Sequence, residues 1–210
     1  DPDTLALGPS VNFVIKFDTA GAVVWVATFP STGNYSLVNG ITVDQAGDVF
    51  GAGLLSGFST LFKLNGDDGS VIFSITGTGG TFTAVGTDTL GNAYLSGETY
   101  QSFSFGGLTC PANNVLGGNA ITEFVCKVDT SGNALWFHVP DQGLLNNINS
   151  GSDTRKLAVT DDGRSYMLAT HPTVIGTDTI GIGNGRPGLY CLDPNGAPIW
   201  GRDLVAAGQI

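Results

Sequence analysis

Lys127-Val128-Asp129-Thr130-Ser131-Gly132-Asn133-Ala134-Leu135-Trp136 is the stretch that decides the fold. Phe124, Cys126 and Val128 lead into it with the period of two that a half-buried strand requires. Asp129 stands where a turn carboxylate accepts a hydrogen bond from the backbone two residues on. Gly132, three residues later, supplies the positive φ that closes the turn with a bulge. Trp136 then falls on the return strand, facing a neighbouring sheet. The whole reads as a β-hairpin.

The same hairpin recurs along the chain. It stands at Lys16-Phe17-Asp18 with Gly21 and Trp25, and at Lys63-Leu64-Asn65 with Gly69 and Phe73, one residue longer in the turn. It stands again at Cys191-Leu192-Asp193 with Gly196 and Trp200. A second hairpin alternates with the first. Its copies are Ile41-Thr42-Val43-Asp44 with Gly47 and Phe50, and Val85-Gly86-Thr87-Asp88 with Gly91 and Tyr94. A weaker copy is Leu157-Ala158-Val159-Thr160 with Gly163 and Tyr166. Two hairpins in succession make a four-stranded antiparallel sheet. The turn glycines at 21, 69, 132 and 196 are 48, 63 and 64 residues apart. A repeating four-stranded sheet of about 40–50 residues is the blade of a β-propeller. The two longer spacings carry their excess between Glu98 and Glu123 and between Thr170 and Pro187. The expectation is an all-β, β-propeller-like fold of antiparallel four-stranded blades, about 3.5–4 of them in one domain over 1-210. The repeats run at about 11-56, 57-100, 122-170 and 187-210.

The stretch from Gly97-Glu98-Thr99 through Phe105-Gly106-Gly107-Leu108 to Phe124–Trp136 resembles the bacterial SBBP repeat, the seven-bladed beta-propeller repeat. So does Ile41–Phe50. The resemblance runs from about Val11 to Trp200. It implies a secreted or cell-surface bacterial protein, often multidomain, with no defined catalytic residues to carry over. Three positions depart from the pattern: Cys191 replaces the recurrent Lys, Thr160 the recurrent Asp and Phe73 the Trp. The first hairpin also resembles the Trp-containing repeat of quinone-dependent dehydrogenase propellers. No cofactor or metal constellation accompanies it here.

Seven hairpins make three and a half blades, and a seven-bladed ring needs more chain than this. Three explanations stand side by side. The chain is a segment of a longer protein, or it closes a four-bladed ring using Asp1–Val11 or Asp203–Ile210. Otherwise it leaves a blade open for a strand from a neighbouring subunit, because an unpaired edge recruits another chain. Leu204-Val205-Ala206-Ala207-Gly208-Gln209-Ile210 is apolar, as a donated strand would be and as the last strand of its own sheet would be.

Composition sets further bounds. Lys plus Arg number 8 against 18 Asp plus Glu, a net charge of −10. Eight scattered cations make no phosphate-binding patch, so nucleic acid is not an expected partner. Hydrophobic residues at 41% suffice for a core. No apolar run approaches the roughly 18 residues of a membrane helix. The chain opens Asp1-Pro2-Asp3 without a signal-peptide pattern, and reads as a processed chain or an excised segment. Of the three cysteines, Cys126 and Cys191 fall in apolar strand-like runs and Cys110 in a Gly/Asn-rich loop. A Cys110–Cys126 disulfide would close a loop of about 15 residues, and the sequence leaves it open.

Candidate sites all have a structural reading beside the functional one. Asn65-Gly66-Asp67-Asp68-Gly69 is the best calcium-like loop, but calcium takes about six to eight oxygens and no distal Glu follows. Recurrence of Asp and Gly in every copy favours a turn. His138 shares a strand face with Trp136, ready to pack on the neighbouring blade. His171 precedes Pro172 in a loop, and neither histidine lies in a catalytic motif. The pairs Asp67-Asp68 and Asp161-Asp162 sit in turns. Trp25, Phe73, Trp136 and Trp200 share one repeat position and are assigned to the contact between blades. Tyr100-Gln101-Ser102-Phe103-Ser104-Phe105 is either an extra edge strand or a contact surface. No catalytic, cofactor-binding or metal residue is assigned. The functional expectation is a non-enzymatic structural or adhesive protein of the bacterial cell surface, self-assembling through exposed strand edges. The alternative is a carbohydrate- or protein-binding module excised from a larger secreted protein, its partner a glycan or a cell-surface protein.

Overall fold

The computed structural model describes residues 11–30, 36–111, 122–140, 157–169, 173–175, 177–180 and 188–204. These form strands, turns and bends only, and every strand pairing is antiparallel. The expected all-β architecture is therefore present.

Strands β1 (Val11–Phe17) and β2 (Val23–Pro30) form a hairpin that pairs with no other described strand, the first unit. The second unit is a meander of β3 (Leu37–Val43), β4 (Val49–Leu55), β5 (Phe58–Leu64) and the first part of β6 (Val71–Thr87). β6 does not stop at the end of that sheet. Val71–Gly77 pairs with β5, and from Thr78 onward, with a register break before Gly80, the strand pairs with β7 (Ala93–Phe105). One strand thus serves as the outer strand of one unit and the first strand of the next. The third unit continues through β7 to β9 (Thr122–Val128) and β10 (Ala134–His138). β8 (Leu108–Cys110) folds back on the far end of β7. The fourth unit has the order β11 (Leu157–Val159), β12 (Ser165–Ala169), β15 (Gly188–Leu192), β16 (Pro198–Asp203). A small hairpin, β13 (Thr173–Ile175) and β14 (Asp178–Ile180), lies between β12 and β15 in sequence. Each full unit is a second-pattern hairpin followed by a first-pattern hairpin.

The Tyr100–Phe105 segment is a strand. It extends β7 and pairs with β8, and Phe103 and Phe105 are buried against Phe82, Phe124 and Phe137. The loop assignment of Cys110 needs correction, because it ends β8 directly opposite Phe103 and is buried. A three-residue strand with one inward position is too short to show the alternation that betrays a strand. Cys110 and Cys126 share one core cluster, yet all three cysteines are free thiols, so no disulfide links them. His171, residues 1–10 and the tail beyond Leu204 lie outside the described residues.

Apolar packing occurs between units as well as within them. Val14 and Trp25 of the first unit bury against Val49, Phe62 and Leu64 of the second. Phe50, Leu61 and Phe73 of the second pack with Cys126 and Val128 of the third. Val125 and Trp136 of the third pack with Met167, Tyr190 and Leu192 of the fourth. The second and third units therefore each have two apolar faces, and a single sheet could not bury both by itself.

Candidate functional site

The repeated feature with most chemistry is the contact between successive units, and it begins with the turns. Asp18 Oδ1 accepts hydrogen bonds from the amides of Ala20 (2.9 Å) and Ala22 (2.8 Å). Asp44, Asp88, Asp129 and Asp193 each accept from the amides two and four residues on in the same way. The recurrent aspartate thus organises the backbone of its own turn. The calcium-like loop is built alike: Asn65 Oδ1 accepts from Asp67 N at 2.8 Å and Asp68 Oδ1 from Ser70 N at 2.9 Å. Hydrogen bonds from the Ser70 side chain and then its amide hold the Asp68 carboxyl below its ordinary range. Among the described residues no three His, Cys, Asp or Glu side chains converge as a metal would need.

Beyond each first-pattern turn the register slips by one residue. Lys16 pairs with Trp25 but Phe17 with Val23, which leaves Val24 as a bulge. Ile72, Leu135 and Ile199 are bulged at the equivalent positions, and all four are exposed. One extra residue in a strand changes which face the following side chains take. Here it brings Trp25 opposite Lys16, Phe73 opposite Lys63, Trp136 opposite Lys127 and Trp200 opposite Cys191.

Lys and Trp then reach together into the next unit. Lys16 Nζ and Trp25 Nε1 both donate to the carbonyl oxygen of Gly66, at 2.6 and 3.0 Å. Lys127 Nζ and Trp136 Nε1 both donate to that of Pro194, at 3.3 and 3.2 Å. The indoles also cover the turn glycines of the following unit. A Cβ added to Gly69 would lie 2.7 Å from Trp25 Cδ2, and one added to Gly196 would lie 2.8 Å from Trp136 Cδ2. Gly132 is covered by Ile75, with Phe73 just beyond. Those glycines have φ of 73°, 83° and 91°, so side-chain-free left-handed backbone and close approach coincide at one position.

Lys127, and Lys63 at the same repeat position, close a charged cluster inside their own sheet. Lys63 Nζ is 3.0 Å from both Asp44 Oδ2 and Asp48 Oδ2, and 5.0 Å from the ring centre of Phe50. Lys127 Nζ is 3.5 Å from Asp88 Oδ2 and 4.9 Å from the ring centre of Tyr94, whose hydroxyl donates to Asp88 at 3.2 Å. Burial disfavours the Lys63 ammonium, but hydrogen bonds and charge from Asp44 and Asp48 outweigh it and hold its pKa above the ordinary value. Burial likewise opposes ionisation of Asp88. Asn92, then Lys127 and Tyr94, overcome it and keep the carboxyl below its usual range.

In the fourth unit Thr160 stands for the aspartate and Cys191 for the lysine, so the pair is neutral. Beside it lies an exposed ion pair, Arg164 Nε–Asp162 Oδ2 at 3.4 Å. Both departures stand in the sequence, far apart along the chain. Their simultaneous change in one copy was the available signal that the two positions touch.

Trp25, Phe73 and Trp136 occupy contacts between units, as their shared position implies. Trp200 instead meets Tyr166 of its own sheet, ring centres 6.0 Å apart, with no further unit before it among the described residues. His138 lies 6.2 Å from Tyr190, facing the fourth unit as expected, and burial lowers its pKa against an opposing hydrogen bond with the Gly196 backbone. Asp67-Asp68 and Asp161-Asp162 stay in exposed turns. No described helix is long and apolar enough to cross a membrane.

Compared with protein-family models and with curated proteins, the chain matches none.

Proposed function

We propose that this protein is a non-enzymatic structural or adhesive component of the bacterial cell surface, built of propeller-type blades and self-assembling through its unit surfaces. The observation that carries this reading is the repeated contact itself. The recurrent Asp, Lys, Gly and Trp, the residues a sequence search would nominate for chemistry, serve in turns, in ion pairs within a sheet and, Trp200 apart, in unit contacts. A chain whose recurrent polar residues are spent this way acts through surfaces rather than through a reaction centre. The second and third units join through β6 into one eight-stranded sheet, the fourth is a four-stranded sheet and the first a two-stranded hairpin; among the described residues β1 pairs only with β2, an edge of the kind that recruits a strand. The extracellular bacterial setting rests on the resemblance to the SBBP repeat.

The test is mass by light scattering over a concentration series, with negative-stain images of the same samples. Growth of mass with concentration, or rods, is the expected result. A monomer at every concentration that gains thermal stability from a glycan would overturn it in favour of a binding module.

A further inference from the structure

The two ends of the unit array expose matching halves of the contact that holds the interior units together. Three repeat positions bury against the preceding unit in the second, third and fourth units. Phe62, Cys126 and Tyr190 are 0% exposed at the first of them, and Leu64, Val128 and Leu192 are 0% exposed at the second. Thr60 and Phe124 are likewise buried at the third. In the first unit these positions are Ile15, Phe17 and Phe13. Phe17 is 56% and Phe13 46% exposed, and Ile15 is half-buried. The Gly21 turn beside them is uncovered, with no atom within 4 Å of a Cβ placed on it, whereas Trp25, Ile75 and Trp136 cover its three equivalents.

The opposite end shows the converse. Val14, Leu61 and Val125 are buried against the following unit, but Leu189 at the same position is only half-buried. Phe50 and Tyr94 are fully buried, but their equivalent Tyr166 is not. An open recess of about 460 Å³ lies there, lined by Thr160, Asp161, Asp162, Arg164 and Tyr166. The corresponding surface of the third unit is taken up by the fourth: Thr89 donates to the Asp161 carbonyl, and Tyr94 and Asp88 lie against Gly163.

We propose that the open face of the fourth unit seats the first unit of a second copy of this chain, head to tail, with Trp200 over the partner's Gly21 turn. The partner is argued from the chain itself. The sequence already builds this contact three times, and among the described residues the two unfilled halves belong to the first and fourth units. The contact is heterologous, so it extends to a filament or a ring rather than stopping at a symmetric dimer. This rests on the self-assembly reading and names the surfaces it uses.

Trp200→Arg blocks one face and Phe17→Arg the other. Both side chains lie on open faces, and far-UV circular dichroism of each variant checks that the sheets have formed. Sedimentation velocity then reads the mass. Wild type is expected to grow with concentration, and each Arg variant to stay monomeric where wild type assembles. An equimolar mixture of the two is expected to give twice the monomer mass and nothing larger, since each variant retains one intact face. Trp200→Phe is expected to assemble like wild type, because Phe73 serves at that position in the second unit. Folded Arg variants that assemble like wild type, or a mixture that stays monomeric, overturn this interface and leave self-assembly standing. Wild type that is monomeric throughout overturns both.

Discussion

Trp136 is seated on Gly196: a Cβ placed on that glycine would stand 2.8 Å from two carbons of the indole, while its Nε1 donates to the Pro194 carbonyl in the same turn. Backbone conformation and side-chain packing therefore impose the same residue. Gly196→Ala meets a left-handed backbone, roughly 1–2 kcal/mol, and displaces a packed ring, about 1–3 kcal/mol more. Gly69→Ala, under Trp25, meets the same two costs. Gly21→Ala meets only the first, since its φ is 84° and nothing stands near. Urea midpoints of the monomeric protein are expected to fall least for Gly21→Ala. Equal losses at all three positions would show that the indoles do not bear on the glycines.

The Lys63 cluster makes a second comparison. Lys63→Met leaves Asp44 and Asp48 facing each other without a cation, Asp44 with only 3% of its side chain exposed. Removing one partner of a buried ion pair costs about 3–5 kcal/mol. The fourth unit forms the same strand pairings with Thr160 and Cys191 at these two repeat positions. The double variant Asp44→Thr, Lys63→Cys is therefore expected to lose less stability than Lys63→Met alone. A double-mutant cycle on denaturation free energies measures the coupling. Additive losses would mean that the two positions do not communicate.

Free thiols give a third test. Burial pushes Cys110 up to about 12, and raises Cys126 and Cys191 as well. The thiolate is the reactive form, and all three side chains are enclosed. A disulfide-exchange reagent at pH 8 is expected to label none in the folded protein and three after unfolding without reductant. One label after unfolding would reveal a Cys110–Cys126 bridge. Rapid labelling of the native protein would show that one of the thiols is open.

The hairpins were legible in the sequence because their cause is local. Asp, two residues of turn and Gly dictate the same hydrogen bonds wherever they occur, as at Asp18 and Asp193. The contact position of Trp25 and Trp136 was legible because it recurs. What was not legible depends on register between distant strands. The one-residue bulges at Val24, Ile72, Leu135 and Ile199 decide that Lys and Trp share a face, and no composition signal marks them. The Asp44–Lys63 contact joins strands 19 residues apart through the fold, not the local chain. β8 was invisible because three residues carry no period.

Acid should act on the contact between the third and fourth units before it acts on the turns. Burial lowers the His138 pKa, and its Nε2 is enclosed without a hydrogen-bond partner in the described structure. The unfolded histidine, at about 6.5, binds a proton that the folded one resists. Stability is therefore full above that value and falls as pH drops from it toward the lower folded pKa. Asp88 and Asp129 have folded pKa values below the ordinary carboxylate range. Their contribution is present above the unfolded value of about 3.9 and is lost as pH falls through the folded one. Two acid limbs are thus expected in the urea midpoint, one beginning near pH 6.5 and one below about 4. His138→Leu is expected to remove the first limb and leave the second. On the alkaline side Lys63, raised by its aspartates, keeps its contribution up to about 10.4 and loses it as pH rises through its folded value. A midpoint that is flat from pH 7 to 5 in wild type would show that His138 is not confined to its neutral form.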